Sequence, residues 1–300
     1  MSPLQALSNN IAEIVASSGK AIVSVNTNRR FPPSGIHWRD SIIVTSDESL
    51  KRYDDITVTL ANGTKESVLL LGRDPTTDIA VFKLENSDIP VATIGDAATL
   101  KVGNLVLALA RSVSGDIRAA MGALSLVDGA WKSMSGGSID QFIRPDIVLY
   151  PGFSGGALVD CSGNIVGMNT SGRRGTALTI PASTINRVVE QLVTKGRIPR
   201  GYLGLGMQPV KLPNNLKKSL DLTSNGGVIV VNVEAHGAAE DAGILLGDIL
   251  ISFDGISVED TNNIMSLLND SSCVGKSVKV QLVRGGELIE LDLIVGERTI

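Results

Sequence analysis

The stretch Pro151-Gly152-Phe153-Ser154-Gly155-Gly156 places a serine among glycines. Glycine adopts backbone conformations that other residues avoid, so this stretch predicts a tight turn that carries Ser154. On such a turn the backbone N–H groups of Gly152 and Ser154 can point the same way and form an oxyanion hole. A donor of that kind is worth about 2.7–4 kcal/mol in kcat. Taken alone, a glycine-rich turn is more often structural, so its surroundings must decide.

The surroundings of this stretch are rich in short apolar runs. Polar turns that contain Gly or Asn separate these runs, a pattern typical of an all-β sandwich or barrel. Helical spacing appears in residues 4–19 and 182–194. The polar segment 194–200 contains both Gly and Pro and predicts a boundary between domains 1–196 and 197–300. The runs that predict strands before residue 111 are Ala21–Val25, Ser41–Thr45, Ile56–Leu60, Ser67–Leu71, Ile79–Leu84 and Leu105–Ala110.

Composition excludes several classes of function. The net charge of -4 provides no bulk basic field for nucleic acid. The two cysteines lack metal-ligand spacing, so we expect no metal, no cofactor and no disulfide framework. No apolar run approaches about 18 residues, which predicts no membrane span. The N-terminus has no basic region followed by an apolar core, so no signal peptide is predicted. The compartment stays open: cytoplasmic, or extracytoplasmic after removal of a targeting segment.

Several motifs flank the serine in a recognisable order. They are Gly72-Arg73-Asp74-Pro75, Thr77-Asp78-Ile79-Ala80-Val81 and Gly163-Asn164-Ile165-Val166-Gly167-Met168-Asn169-Thr170. Their order and spacing resemble the HtrA (Deg) family of trypsin-like serine proteases that carry a C-terminal PDZ domain. The resemblance implies a mainly β fold: a trypsin-like double β-barrel with its site between the barrels, followed by an α+β PDZ domain. It also implies a homotrimer.

The resemblance assigns the catalytic residues one at a time. Ser154 matches the nucleophile, and Asp78 matches the acid that orients the base. The base itself does not match, because Glu48 stands where the family has histidine. Glutamate has no ring N–H to donate to Asp78, and its ordinary pKa of about 4.3 makes it a weak base at neutral pH. Phe153, next to the serine, is a bulky apolar residue that we expect to crowd or reshape the oxyanion turn.

The chain has two histidines. His37 is predicted on a strand that enters a tight hairpin, several residues away from the Glu48 end of its partner strand. His236 is predicted on the surface of the PDZ domain, just before a short helix. Neither is expected to replace the missing base.

The PDZ half of the resemblance covers residues 200–296. The loop around Gly204 corresponds to the carboxylate-binding loop, where successive backbone N–H groups can hold a terminal carboxylate. The strand after it offers an edge to which a peptide can add. For the helical residues two roles stay open, groove wall or core. The predicted peptide-binding residues are Tyr202, Leu203, Gly204, Leu205, Ile264 and Leu268.

Two functions follow from these observations. The first is a proteolytically inactive HtrA-like protein that binds polypeptide C-termini or unfolded protein through its PDZ groove. The second is an active serine endopeptidase of protein quality control that uses Ser154 with an unusual base. A proton acceptor within about 3 Å of the Ser154 hydroxyl would favour the second.

Overall fold

The computed structural model of the chain describes residues 2–27, 30–50, 55–85, 89–172, 175–222, 224–269 and 273–297. The chain forms two compact units, Met1–Ile198 and Pro199–Ile300. The first begins with helix α1 (Pro3–Ser18), where Ser2 accepts a hydrogen bond from the backbone N–H of Gln5 at 3.2 Å and Pro3 occupies the first turn. None of the helices in these ranges is long and apolar enough to cross a membrane.

Six strands close the first barrel, in the order β1-β2-β3-β6-β5-β4. Side chains of β3 alternate between two cores, as the two-residue period of a strand requires. Ile43 points into the barrel, whereas Ile42 and Val44 pack in the core shared with the second barrel. The strands are β1 (Ile22–Asn26), β2 (Ser34–Arg39), β3 (Ile42–Thr45), β4 (Thr57–Thr59), β5 (Lys65–Asp74) and β6 (Ile79–Leu84).

A second closed barrel follows, and a two-stranded sheet extends from one of its loops. Its interior is apolar, with Val106, Leu124 and Leu158 buried among aliphatic neighbours. Helix α2 (Ala182–Lys195) closes the unit and ends at Gly196, whose φ of 69° is left-handed. The barrel strands are β7 (Leu105–Arg111), β8 (Ile117–Asp128), β11 (Phe142–Pro145), β12 (Ala157–Val159), β13 (Ile165–Ser171) and β14 (Ala177–Pro181); the small sheet is β9 (Trp131–Lys132) with β10 (Ser138–Ile139).

The second unit is a twisted sheet with helices, built around its own apolar core. The strand β16 lies at one edge of the sheet and pairs with β17 alone within the described ranges. Helix α5 is capped by Asp260, which exchanges hydrogen bonds with Asn263. Its elements are β15 (Gly201–Tyr202), β16 (Leu205–Lys211), α3 (Asn214–Ser219), β17 (Gly226–Val233), α4 (Ala238–Asp241), β18 (Ile249–Phe253), β19 (Ile256–Ser257), α5 (Thr261–Leu268), β20 (Ser277–Arg284), β21 (Glu287–Ile294) and β22 (Gly296–Glu297).

The architecture therefore confirms the predicted fold class, a mainly β chain with two six-stranded barrels and a smaller α+β unit. The helix α3 was not predicted. It is short, and Leu216 is followed or preceded by no second apolar residue within the helix. The sequence therefore has no amphipathic pattern here that would predict a helix.

Candidate functional site

Two consecutive turns hold Ser154. In the first, the N–H of Phe153 donates to the carbonyl of Tyr150 at 3.1 Å. In the second, the N–H of Gly156 donates to the carbonyl of Phe153 at 3.0 Å. The third residue of each turn has positive φ, 98° at Gly152 and 80° at Gly155. A type II turn requires this conformation, which is why glycine occupies both positions.

Both barrels hold the serine turn in place. From the first barrel, Ser34 donates its N–H to the carbonyl of Ser154 at 3.0 Å and its hydroxyl to the carbonyl of Gly152 at 2.8 Å. From the second, the carbonyl of Asn169 accepts the N–H of Gly155 at 2.8 Å. A Cβ on Gly155 would lie 2.2 Å from the carbonyl oxygen of Ser34. The turn is therefore closely packed between the barrels and has no room for a side chain at that position.

The N–H groups of Gly152 and Ser154 donate to no acceptor in the described part of the chain. An oxyanion hole needs N–H donors that have no other acceptor, and these two meet that requirement. Their assignment as an oxyanion hole stays a prediction. The expected crowding by Phe153 is not seen. Its ring is buried in a cluster with Ala108 and Ala110 of the second barrel, because those two alanines leave room for it.

The hydroxyl of Ser154 lies 3.3 Å from the hydroxyl of Ser171 at the end of β13. The preceding residue, Thr170, donates its hydroxyl to the carboxylate of Asp78. Adjacent residues of one strand thus contact the predicted nucleophile and the predicted acid, and so bring them into one site. Thr170 and Ser171 were missed as site residues. The motif Gly163–Thr170 was a signal of this strand, but the motif does not indicate which of its side chains face the site.

The carboxylate of Asp78 accepts hydrogen bonds from three residues. Besides Thr170, the hydroxyl of Ser46 lies 3.0 and 2.9 Å from its two oxygens, and the backbone N–H of Glu48 donates at 2.7 Å. Burial raises the pKa of Asp78 above its ordinary value, and the nearby charge of Glu48 adds to the rise, while these three hydrogen bonds oppose it. Burial prevails, so this carboxylate is harder to ionise than one in water.

Residue 48 lies beside that carboxylate through its backbone, but its side chain is exposed. The side chain of Glu48 lines a cavity of 560 Å³ together with Asp78, Thr170 and Ser171. Residue 48 therefore lies next to the acid, whereas Ser154 lines a different cavity.

Neither histidine hydrogen-bonds Ser154 or Asp78, and both histidines lie within the described residues. His37 is buried on β2, opposite Ile43 of β3, and its Nδ1–H donates to the carbonyl of Pro90 at 3.1 Å. His236 lies in the second unit. The sequence predicted that neither histidine replaces the missing base, and in the structure neither imidazole is in hydrogen-bonding contact with the serine or the acid.

The second unit contains the other predicted site. Gly204 has a φ of 73°, and the carbonyls of Leu203 and Gly204 accept the N–H groups of Ala239 and Glu234 at 2.9 and 2.8 Å. The Tyr202 hydroxyl donates to the Glu234 carboxylate at 2.6 Å. These bonds fix the loop that precedes the edge strand β16.

The apolar residues of this predicted groove differ in exposure. Leu203, Ile264 and Leu268 are buried in the core of the unit, whereas Leu205 is half-buried. Two further half-buried apolar residues, Met207 on β16 and Leu267 on α5, complete the surface between strand and helix. Leu205, Met207 and Leu267 therefore combine contact with the core of the unit and accessible apolar surface.

Comparison with known proteins identifies each half of the chain. Residues 33–168 match the trypsin-like peptidase domain family, and residues 201–295 match the PDZ domain family. The chain thus joins a trypsin-like peptidase domain to a PDZ domain.

The chain is also similar to individual curated proteins. The chain is 30% identical over 266 residues to a probable periplasmic serine endoprotease DegP-like of Pseudomonas putida (strain GB-1), and 29% over 267 residues to one of Chlamydia pneumoniae. The matches cover 86% of this chain and 54% and 53% of those proteins, so the chain spans about half the length of the curated relatives it matches.

Solved structures agree. The serine endoprotease from Yersinia pestis has a TM-score of 0.71 and 26% identity, covering 96% of this chain and 98% of that one. The HtrA-type protease AlgW with a tripeptide has a TM-score of 0.70 and 27% identity, covering 96% and 97%. The chain thus combines a trypsin-like peptidase domain with a PDZ domain, and its fold is similar to that of HtrA-type proteases.

Proposed function

We propose that this chain is an HtrA-like peptide-binding protein whose trypsin-like domain does not hydrolyse peptides at a useful rate. One observation carries the proposal: the Asp78 carboxylate is bonded by Ser46, Thr170 and the backbone N–H of residue 48, and no imidazole stands between it and Ser154. The Ser154 hydroxyl faces another hydroxyl, that of Ser171. On this view Glu48 replaces the catalytic histidine.

The chemistry of the site supports inactivity. A serine hydroxyl is a weak nucleophile and needs a neighbouring base whose pKa lies near the pH of the reaction. The hydroxyl of Ser171 is not basic, and the exposed carboxylate of Glu48 cannot donate a ring N–H to Asp78 while it accepts a proton from Ser154. In subtilisin, loss of the histidine alone costs about 2 × 10⁶ in kcat. We expect a loss of similar size here.

The PDZ domain supplies the working site of the proposal. An extended peptide would add to the edge strand β16, with its terminal carboxylate at the loop around Gly204 and its apolar side chains on Leu205, Met207 and Leu267. Its partners would be polypeptide C-termini or unfolded protein. A homotrimer, implied by the family resemblance, is part of the proposal and is measurable by sedimentation equilibrium.

Fluorophosphonate labelling and casein cleavage test the first part of the proposal. Wild type should label and cleave no faster than Ser154→Ala, which lacks the nucleophile. Stoichiometric labelling of Ser154, or cleavage that Ser154→Ala abolishes, would instead establish an active serine endopeptidase with an unusual base.

Peptide binding tests the second part. Fluorescent peptides with a free C-terminus should bind at least about tenfold tighter than their C-terminal amides, because a terminal carboxylate bonded by several N–H groups is a charge-assisted contact. Met207→Lys should weaken that binding. Leu288→Lys, a matched change of an exposed apolar residue on β21, should not. Equal binding of acid and amide would contradict a C-terminal groove.

A further inference from the structure

A cavity of 500 Å³ lies beside the oxyanion turn. We call it the arginine cavity, because Arg30, Arg111 and Arg118 all line it. It shares Arg30 and Gly152 with a neighbouring cavity of 300 Å³ that contains Ser154. The two cavities therefore adjoin at the turn that carries Ser154, and a peptide that crosses Ser154 would pass next to the arginine cavity.

The three arginines differ in how firmly they are held. The guanidinium of Arg111 is buried and donates to the backbone carbonyls of Gly19, Ile22 and Gly115, so its charge stays in place. The guanidinium of Arg30 stacks over the ring of Phe31, 5.3 Å from its centroid. Arg118 is exposed on β8 and has no ion pair within the described residues. One cation is fixed and two can adjust to a ligand.

Among the residues that the structure describes, no carboxylate lines the arginine cavity. The nearby acid, Asp116, lies outside its lining and accepts the hydroxyl of Ser114 at 2.6 Å. Two lining hydroxyls, Ser112 and Ser114, lie 2.7 Å apart. Both hydroxyl protons are thus engaged, and the charge of Asp116 acts on Arg111, so Arg30 and Arg118 are the cations of the cavity that this acid does not compensate.

We propose that the arginine cavity binds a carboxylate of a peptide that lies across Ser154. Guanidinium groups are suited to carboxylates because their planar N–H pairs match the two carboxylate oxygens. The walls contributed by Phe31, Pro32 and Val113 are apolar and suit the rest of an amino-acid residue, and the volume is that of a ligand site rather than of a single ion. The inference deepens the proposed function, on which it rests: the peptide is retained because the site does not cleave it.

The carboxylate can come from an acidic side chain or from the C-terminus of the peptide. The first source is tested with fluorescent peptides whose C-termini are amidated, so that the PDZ groove receives no terminal carboxylate. A peptide containing glutamate is compared with the same peptide containing glutamine, by fluorescence anisotropy on the full chain. The second source is tested with a neutral peptide, free acid against amide, on Met207→Lys, in which binding to the PDZ groove is weakened.

We expect at least one of these carboxylates to improve binding by about three- to tenfold, as a partly exposed charge-assisted hydrogen bond does. Arg118→Gln combined with Arg30→Gln should abolish that preference. Arg39→Gln, an exposed arginine on β2 that lines neither cavity, should retain it. Rising salt should reduce the preference, since the ligand contacts are partly exposed. Arg111 is left unchanged because it holds three carbonyls of the fold.

The inference is overturned if wild type shows no preference for glutamate over glutamine and Met207→Lys shows none for the free acid over the amide, or if neither set of peptides binds. A preference that survives the double arginine change overturns it as well. These results are separable from the proposed function, because Ser154 labelling and binding of free C-termini to the PDZ groove of wild type are read independently. Circular dichroism of the variants checks the fold, which these exposed side chains should not disturb.

Discussion

Replacing Glu48 by histidine should return part of the missing reactivity to Ser154. The backbone N–H of residue 48 is 2.7 Å from the Asp78 carboxylate, so an imidazole at this position starts beside the acid that must orient it. The serine turn is already fixed by Ser34, and its N–H donors are unused. What the site lacks on this reasoning is the base alone.

The structure also predicts an obstacle. The Asp78 carboxylate offers about four acceptor positions, and the Glu48 N–H, the Thr170 hydroxyl and the Ser46 hydroxyl, which lies within 3.0 Å of both oxygens, already compete for them. An imidazole N–H would compete most directly with the Ser46 hydroxyl, because that hydroxyl lies within 3.0 Å of both oxygens. A hydrogen bond to a charged group is worth about 1.5–3 kcal/mol, so E48H alone should fall short of E48H with S46A by about tenfold or more.

The assay is the rate of fluorophosphonate labelling of Ser154 at neutral pH. Wild type and E48Q should match the Ser154→Ala background, E48H should exceed it, and E48H with S46A should be fastest. If the double variant labels no faster than wild type, the base is not what the site lacks and the reasoning fails. If wild type labels and E48Q does not, Glu48 itself is the base.

Three further predictions concern stability, each measured by urea unfolding. Gly155→Ala should cost about 3 kcal/mol or more, because its Cβ meets backbone at 2.2 Å, whereas Gly63→Ala, at a similar φ of 85° in open space, should cost about 1–2 kcal/mol; equal losses would contradict the packing argument. Because burial raises the pKa of Asp78, the folded chain keeps the carboxyl proton at pH values where the unfolded chain has released it, so the free energy of unfolding should fall as pH rises above about 3.8. Asp78→Asn should remove that slope, and parallel pH profiles of the two proteins would refute the prediction. Burial acts to raise the pKa of Asp248, but the two 2.8 Å hydrogen bonds that Arg284 donates outweigh burial and hold this pKa below its ordinary value. Arg284→Met should therefore cost about 2 kcal/mol of stability at neutral pH, and less as pH falls through the lowered pKa. A loss of stability that does not depend on pH would show that the ion pair is not its source.

Much of the fold is predictable because its signals are local. A short apolar run such as Ile42–Thr45, which is buried throughout as β3, and a turn residue such as Gly63 depend on neighbours in the chain, so the barrels follow from short stretches. The destination of Phe153 was not predictable. Its ring is buried against Ala108 and Ala110, which lie more than 40 residues earlier on a strand whose register the sequence does not state. The same limit explains why Ser171 was missed beside Ser154.

The residues that remain at the site can be explained without catalysis. Ser34 and Asn169 hold the Ser154 turn through backbone groups, and these contacts join the two barrels whatever the serine does. The carboxylate of Asp78 likewise connects β13, through Thr170, to the segment after β3, through the N–H of Glu48. Removing the Asp78 carboxylate would leave the hydroxyls of Ser46 and Thr170 and the N–H of residue 48 without this acceptor, at about 1–3 kcal/mol for each donor that stays buried. A histidine side chain at position 48 is not needed for the hydrogen bond to Asp78, because the backbone N–H of residue 48 makes that bond and the side chain is exposed. The fold therefore retains Asp78 and the backbone of the serine turn for stability and tolerates loss of the base, so the presence of the acid and of the turn is weak evidence for proteolysis.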